Sequence, residues 1–279
     1  MGFIYLRNKG GLGNQLFIYN FGLLLSSKYN LKLIFDNSTG FLKDKYGRTP
    51  MLDKLLIENP VEATILQKLS FIIVKKMPVW IKKIIKIQYL LEDNFQKKID
   101  LDDLNLNSSS RIFVEGYFQS FLYLKESAFA IQNNVFEKIT FNLCYKNYYD
   151  RIISSNSICV HVRRNAYDNL LSKEYYEKAF IAIKKRIKNP SFFIFSDSLD
   201  WCETQFQEND VTFVANSNKP DDLQEFFLMK SCKHFIIANS TFSWWAAFLG
   251  RYDNKLVIAP SNNQLGIIET FYPNNWLKL

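Results

Sequence analysis

The stretch FIYLRNKGGLGNQLFIYNFGLLLSSKYNLKLIFDN, Phe3 to Asn37, sets the fold class. FIYLR reads as a short strand, NQLFIYNFGLLLSSKY as a helix apolar on most faces and therefore buried, and LKLIFDN as a second strand closing on Asp36. Strand, loop, helix and strand in this order form a βαβ unit, which places the chain among the α/β proteins. Glycines 10, 11 and 13 between strand and helix invite a phosphate-binding reading. The dinucleotide fingerprint needs a further glycine where Leu16 stands, and no Gly-Lys-Ser/Thr follows, so neither standard phosphate loop is present. What remains is a loop in which Gly11 and Gly13 allow close backbone approach. Asn14 and Gln15 present polar groups at the start of the next helix.

The C-terminal half repeats the alternation. SICVHVRR, SFFIFSD, VTFVAN, KHFIIAN and KLVIAP read as strands. Between them SKEYYEKAFIAIKKRIK, PDDLQEFFLMKSC and STFSWWAAFLG read as helices, so a second parallel sheet is expected. The two halves divide as residues 1–150 and 151–279, with a boundary near NLCYKNYYDRIISSNS, where apolar periodicity lapses. A mostly helical insertion is expected over about 41–110. Ligands of such sheets bind beyond the carboxyl ends of the strands. In the second half that edge collects Arg163 and Arg164, Ser196 and Asp197, Asn216, and Asn239 with Ser240.

The 279 residues, 48% of them hydrophobic, suffice for two small cores. MGFIYLRNKG lacks the features of a secretory signal, and no run of eighteen apolar residues exists, so cytoplasmic residence is expected. Cys144, Cys159, Cys202 and Cys232 form no CxxC pair, and neither His161 nor His234 has ligand spacing with a cysteine. Free thiols are expected and a zinc site is not. The net charge of +8 is local: Phe71 to Leu91 holds five lysines and no acid. Within it VWIKKIIKIQYLL reads as an amphipathic helix, with Trp80, Ile81, Ile84, Ile85 and Leu91 opposite Lys82, Lys83 and Lys86. Such a helix suits an anionic membrane surface, and equally a helix packed on its domain with a solvated lysine face. Nucleic-acid binding is not expected, because the aromatic residues are not interleaved with the lysines.

Arg163 and Arg164 close an apolar strand, where a guanidinium fork matches a pyrophosphate. Ser240 and Thr241 open the helix STFSWWAAF, offering hydroxyl and N–H groups at a helix N-terminus, a site suited to phosphate oxygens and equally explained by N-capping. Asp197 reads as an acceptor for a ribose or base, or as a turn former. His161 reads as a core histidine or a ligand contact. Asp100-Leu101-Asp102 has the form of a metal–nucleotide motif but lies away from every strand end. It reads as a solvated acidic turn, and no Mg²⁺ or Mn²⁺ is expected.

Taken together, GGLGNQLFIYN, HVRRNAY, FIFSDSLDW and MKSCKHFIIANSTFSWWAAFLG resemble, in order and spacing, the α-1,2-fucosyltransferases of glycosyltransferase family 11. GYFQS and the terminal YPNNW resemble it too. The resemblance implies a GT-B-type fold of two facing Rossmann-like domains and inverting, metal-independent transfer of L-fucose from GDP-β-L-fucose to O2 of a terminal, galactose-type acceptor. It assigns His161, Arg163, Arg164, Asp197, Asn239, Ser240, Thr241 and Phe242 to the GDP-sugar. Gly11, Gly13, Asn14, Gln15 and Gln119 fall to the acceptor side or cleft loop, and Arg163 and Asn14 to catalysis, where Asp168 joins them only as a substitute outside the family's motif. One departure stands out: the family continues its arginine motif as Gly-Asp-Tyr, whereas Asn165-Ala166-Tyr167 stands here, leaving Asp168 as the replacement carboxylate. The partner the resemblance implies is a GDP-sugar. The Lys- and Asn-rich composition, the free cysteines and the expected lack of a membrane anchor suggest a bacterial cytoplasmic enzyme acting on a lipid-linked O-antigen or capsule unit, with the lysine helix over Phe71 to Leu91 as a candidate peripheral contact to the inner membrane. Another GDP-deoxyhexose such as colitose is the alternative donor, and a non-catalytic GDP-sugar or glycan-binding protein the alternative class.

Overall fold

The computed structural model describes residues 2–92, 99–124, 127–136, 139–165, 170–215, 221–261 and 270–279. The chain divides into two compact units, 1–136 with 268–271, and 137–267 with 272–279. Each is built on one parallel sheet.

In the first unit the opening stretch folds as strand β1 (Phe3–Arg7), helix α1 (Leu12–Tyr29) and strand β2 (Lys32–Asp36). Strands β3 (Val61–Glu62), β4 (Ile87–Leu91) and β5 (Arg111–Glu115) complete a sheet of order β3-β2-β1-β5-β4. Ile4, Leu6, Ile112 and Val114 are fully buried together with Leu16, Phe17, Phe21 and Leu25 of α1. Alternate strand residues point to opposite faces. The other face is covered by helix α2 (Ile65–Lys76), whose Phe71 and Val74 pack with Phe113 against Tyr5, Ile87 and Tyr89. A Thr64–Gln67 capping box starts this helix. Helix α3 (Val79–Ile84) follows, and helix α4 (Ala128–Asn134) lies near the end of the unit.

Two expectations fail here. The amphipathic helix over residues 79–91 does not exist: α3 stops at Ile84, Lys86 takes a left-handed φ of 54°, and Ile87–Leu91 becomes β4, paired along its whole length with β5. Sheet pairing outweighs helical periodicity because IQYLL is as good a strand as a helix turn. The region 41–110 is accordingly only partly helical, and it contributes β3 and β4 to the sheet.

The second unit starts with helix α5 (Leu143–Ile153), so the stretch expected as an inter-domain boundary is a helix held by Tyr145 and Ile152. Strands β6 (Asn156–Val162), β7 (Pro190–Ser196), β8 (Val211–Phe213), β9 (His234–Ile236), β10 (Val257–Ala259) and β11 (Leu277–Lys278) form a sheet of order β11-β10-β9-β6-β7-β8. Helices α6 (Lys173–Lys184), α7 (Leu199–Gln205), α8 (Asp222–Ser231) and α9 (Thr241–Leu249) connect them. Strand β6 is buried from Ser157 onward, as a central parallel strand covered on both faces must be. Strand β11 has no sequence signature of its own; it exists because Leu279 donates to Ala259 at 3.0 Å along the edge of β10. Cys159, Cys202 and Cys232 are buried free thiols and Cys144 is half-buried.

Candidate active site

The carboxyl edge of the second sheet gathers the residues that close β6 and β7 and open α9. Register pairs His161 with Phe195 and Val162 with Ser196, so the turns after the two strands lie side by side. Asp197 binds the turn that carries the arginines. Its Oδ1 accepts the Arg164 N–H at 2.8 Å, and its Oδ2 accepts the Asn165 N–H at 3.0 Å and the Arg163 Nε at 3.2 Å. The Asn165 side-chain amide returns to the Asp197 carbonyl at 2.5 Å. Asp197 therefore acts on any ligand through the backbone and the guanidinium it fixes.

The adjacent arginines differ. Arg164 lies with its guanidinium 4.1 Å from the Trp201 ring centroid and donates to the Leu171 carbonyl at 3.2 Å, a packed and stacked arrangement. The Arg163 side chain stays 34% exposed beside the 17% exposed Asp197, its fork anchored at Nε. His161 is buried, 6.1 Å from the Phe242 ring, and its backbone carbonyl accepts the Tyr176 hydroxyl at 3.2 Å. Burial and the Arg163 charge, only partly offset by Asp197, push its pKa down to about 3, so the ring is neutral at physiological pH. Its Nδ1 meets no partner among the described residues.

Ser240 is the N-cap of α9: its Oγ accepts the Phe242 N–H at 3.3 Å, which leaves its O–H proton unused by that bond. Half-buried Asn239 precedes it and Thr241 follows in the first turn. Phe242 packs on Phe226 of α8 with centroids 5.3 Å apart. Next in α8 stands Glu225, which the sequence did not single out. It accepts the Tyr145 hydroxyl at 3.0 Å, and burial, with Asp221 and Asp222 nearby, raises its pKa to about 7. Asn216 and Asp168 lie outside the described residues.

In the first unit the glycine loop is wired into its own scaffold. Gly10 takes φ +78°, and Gly11 is the N-cap of α1, with Gly13 buried in the first turn. Gln15 is fully buried, and its amide donates to the Gly10 carbonyl at 2.8 Å and the Thr49 carbonyl at 2.9 Å while accepting the Met51 N–H at 2.9 Å. That is a structural assignment, away from ligand contact. Asn14 instead receives the Gln119 amide at 2.8 Å. Gln119 reaches it from a loop in which Phe118 holds a left-handed φ of 52°, stacked on Phe21 at 3.9 Å. Glu92 secures that loop, accepting the Tyr117 and Phe118 N–H groups at 2.7 Å each. A strained non-glycine residue held by a half-buried carboxylate marks a loop built for position. Glu92 carries no motif signal and could be found only from the fold.

Among the described residues no group of three or more His, Cys, Asp or Glu is placed to hold a metal ion. No described helix is long and apolar enough to cross a membrane.

Residues 3–279 match the family model described as Glycosyl transferase family 11. The chain belongs to this family. It is 32% identical over 285 residues to an alpha-1,2-colitosyltransferase of Escherichia coli, covering 94% of this chain and 92% of that one. It is 27% identical to the O-antigen biosynthesis glycosyltransferase WbnK of the same species, with 92% and 93% covered. Among solved structures it resembles the fucosyltransferase NodZ from Bradyrhizobium, with a TM-score of 0.53 at 16% identity over 88% of this chain and 90% of that one. The last likeness is one of fold, two parallel sheets with helices of the GT-B type. As a family 11 glycosyltransferase, the chain carries the HVRR and STFSWW segments at adjacent positions on one sheet edge.

Proposed function

We propose that this glycosyltransferase moves L-fucose from GDP-β-L-fucose to the 2-hydroxyl of a terminal galactose-type acceptor in a bacterial surface glycan. The observation that carries the reading is the half-exposed Arg163 fork, held by Asp197 at the edge where α9 begins. The acceptor oxygen attacks the anomeric carbon, the bond to the β-phosphate oxygen breaks with inversion, and the acceptor proton passes to a carboxylate, for which Asp168 is the candidate. Departing GDP gathers negative charge on its β-phosphate. Arg163 and the donors of the first α9 turn, including the Ser240 and Thr241 hydroxyls, meet that charge without a divalent ion. A neutral His161, buried beside Arg163, adds no second cation to the phosphate site. The oxocarbenium character of the sugar lowers the demand on the base. Asn14 and Gln119 are assigned to the acceptor.

A second reading keeps the site and changes the donor to GDP-colitose, because the relative at 32% identity is named for that sugar. Competing assays with GDP-fucose and GDP-colitose over a panel of galactose-terminated acceptors, run in EDTA, separate the two. Transfer of fucose in EDTA is expected. Exclusive use of colitose replaces the first reading, and loss of transfer on chelation sinks the metal-free mechanism. GDP binding by calorimetry without turnover on any acceptor supports a binding protein instead.

A further inference from the structure

Helix α2 has two apolar stripes. Phe71 and Val74 pack on the first sheet. On the opposite side Ile65, Leu66, Leu69, Ile72 and Ile73, spaced i, i+1, i+4, i+7 and i+8, stand between 45% and 78% exposed. Helix α3 buries none of its residues and adds Val79, Trp80 and Ile84, exposed at 68%, 64% and 69%. Soluble monomers seldom leave so many large apolar side chains of two successive helices bare. The surrounding charge has one sign: Ala63 to Leu91 contains Lys68, Lys75, Lys76, Lys82, Lys83 and Lys86 and no Asp or Glu. Lys68 and Lys75 are paired with Glu62 and Glu115 at 2.7 and 2.9 Å. Lys76, Lys83 and Lys86 are exposed and enter no ion pair among the described residues.

We propose that the α2–α3 face docks the enzyme flat on an anionic phospholipid bilayer, with its isoleucines, leucines and Trp80 in the acyl–headgroup boundary and the lysines on the lipid phosphates. Twelve residues of α2 span about 18 Å, too short to cross a bilayer and suited to lying in its surface. An exposed Trp beside lysines fits the interface, where an amphipathic ring and cations are both favoured. A second copy of the chain is a poorer occupant, since a two-fold contact would set the lysine set against itself. The proposal does not rest on the identity of the sugar or on the transfer reaction.

The test is co-sedimentation of the full chain with vesicles of phosphatidylcholine alone and with 30% phosphatidylglycerol (roughly the anionic fraction that attracts polybasic segments), at low and high salt. Binding to the anionic vesicles only, weakened by salt, is expected. Lys76→Glu with Lys83→Glu should lower the partition coefficient at least about tenfold. Ile65→Ser with Trp80→Ser should lower it similarly, in proteins whose circular dichroism and thermal melts match the parent. Equal sedimentation with neutral vesicles, no binding to either, or a concentration-dependent dimer abolished by the same substitutions would overturn it.

Discussion

Arg163 and Arg164 are neighbours in sequence and unequal in what holds them. Arg164 is stacked on Trp201 and bonded to the Leu171 carbonyl, whereas Arg163 keeps an open fork behind a single Nε contact with Asp197. Arg163→Ala should therefore lower kcat roughly 100- to 1000-fold, the usual cost of removing a donor to developing negative charge, with the thermal melt unchanged. Arg163→Lys should recover little, because a point charge does not reproduce a fork. Steady-state kinetics with GDP-fucose check both, and full activity in Arg163→Ala would remove it from the phosphate site. The family resemblance singled out Arg163 for catalysis, but the physical reason lies in a tertiary contact, since Trp201, 37 positions beyond Arg164, takes up its neighbour. Gln15 illustrates the converse: its place in the motif suggests ligand contact, yet its amide is consumed by Gly10, Thr49 and Met51.

At the scale of elements, the turns that follow β1 and β2 lean on each other through a glycine. A Cβ on Gly40 would sit 1.9 Å from the Asn8 carbonyl oxygen, a backbone atom that cannot yield without moving the glycine loop. Gly40→Ala is expected to destabilise the protein by about 2 kcal/mol or more and to lower turnover through Asn14. Urea unfolding and kinetics of the variant measure the two effects, and an unchanged midpoint would show that the turns are independent. Glycines 10, 11 and 13 were legible from sequence as a strand-to-helix loop; the dependence on Gly40 was not, because it is a contact between two loops whose local sequences do not mention each other. The α3–β4 region failed for the related reason that IKIQYLL satisfies a helical stripe and a sheet strand alike, and only the neighbouring edge of β5 chooses.

Across the whole molecule, buried His161 and half-buried Glu225 tie stability to pH with opposite signs. His161 is depressed from 6.5 to about 3, so the unfolded chain binds a proton that the native state refuses. Its contribution is complete above pH 6.5 and is lost as pH falls toward 3. Glu225 is raised from 4.5 to about 7, so its contribution is complete below pH 4.5 and is lost as pH rises toward 7. Between pH 4.5 and 6.5 the two slopes oppose each other. Relative to the parent, Glu225→Gln should gain stability from pH 5 to pH 8, and His161→Gln should lose it over the same range. Denaturant midpoints at the two pH values test this, and parallel shifts in both variants would refute the assignment of either group. By itself the sequence determined two α/β units with parallel sheets, the family, and the segments HVRR, FIFSD and STFSWW as one strand-end edge. Local periodicity and the rule that parallel strands end on a common edge suffice for that. Only the tertiary structure decided which of those polar groups remain open. It alone showed that Glu92 and Asp197 hold the loops from which Gln119 and Arg163 project, and that the lysine-rich stretch is a two-helix face beside a strand. Burial and hydrogen-bond competition are set by partners distant in sequence, and a pattern read along one segment does not contain them.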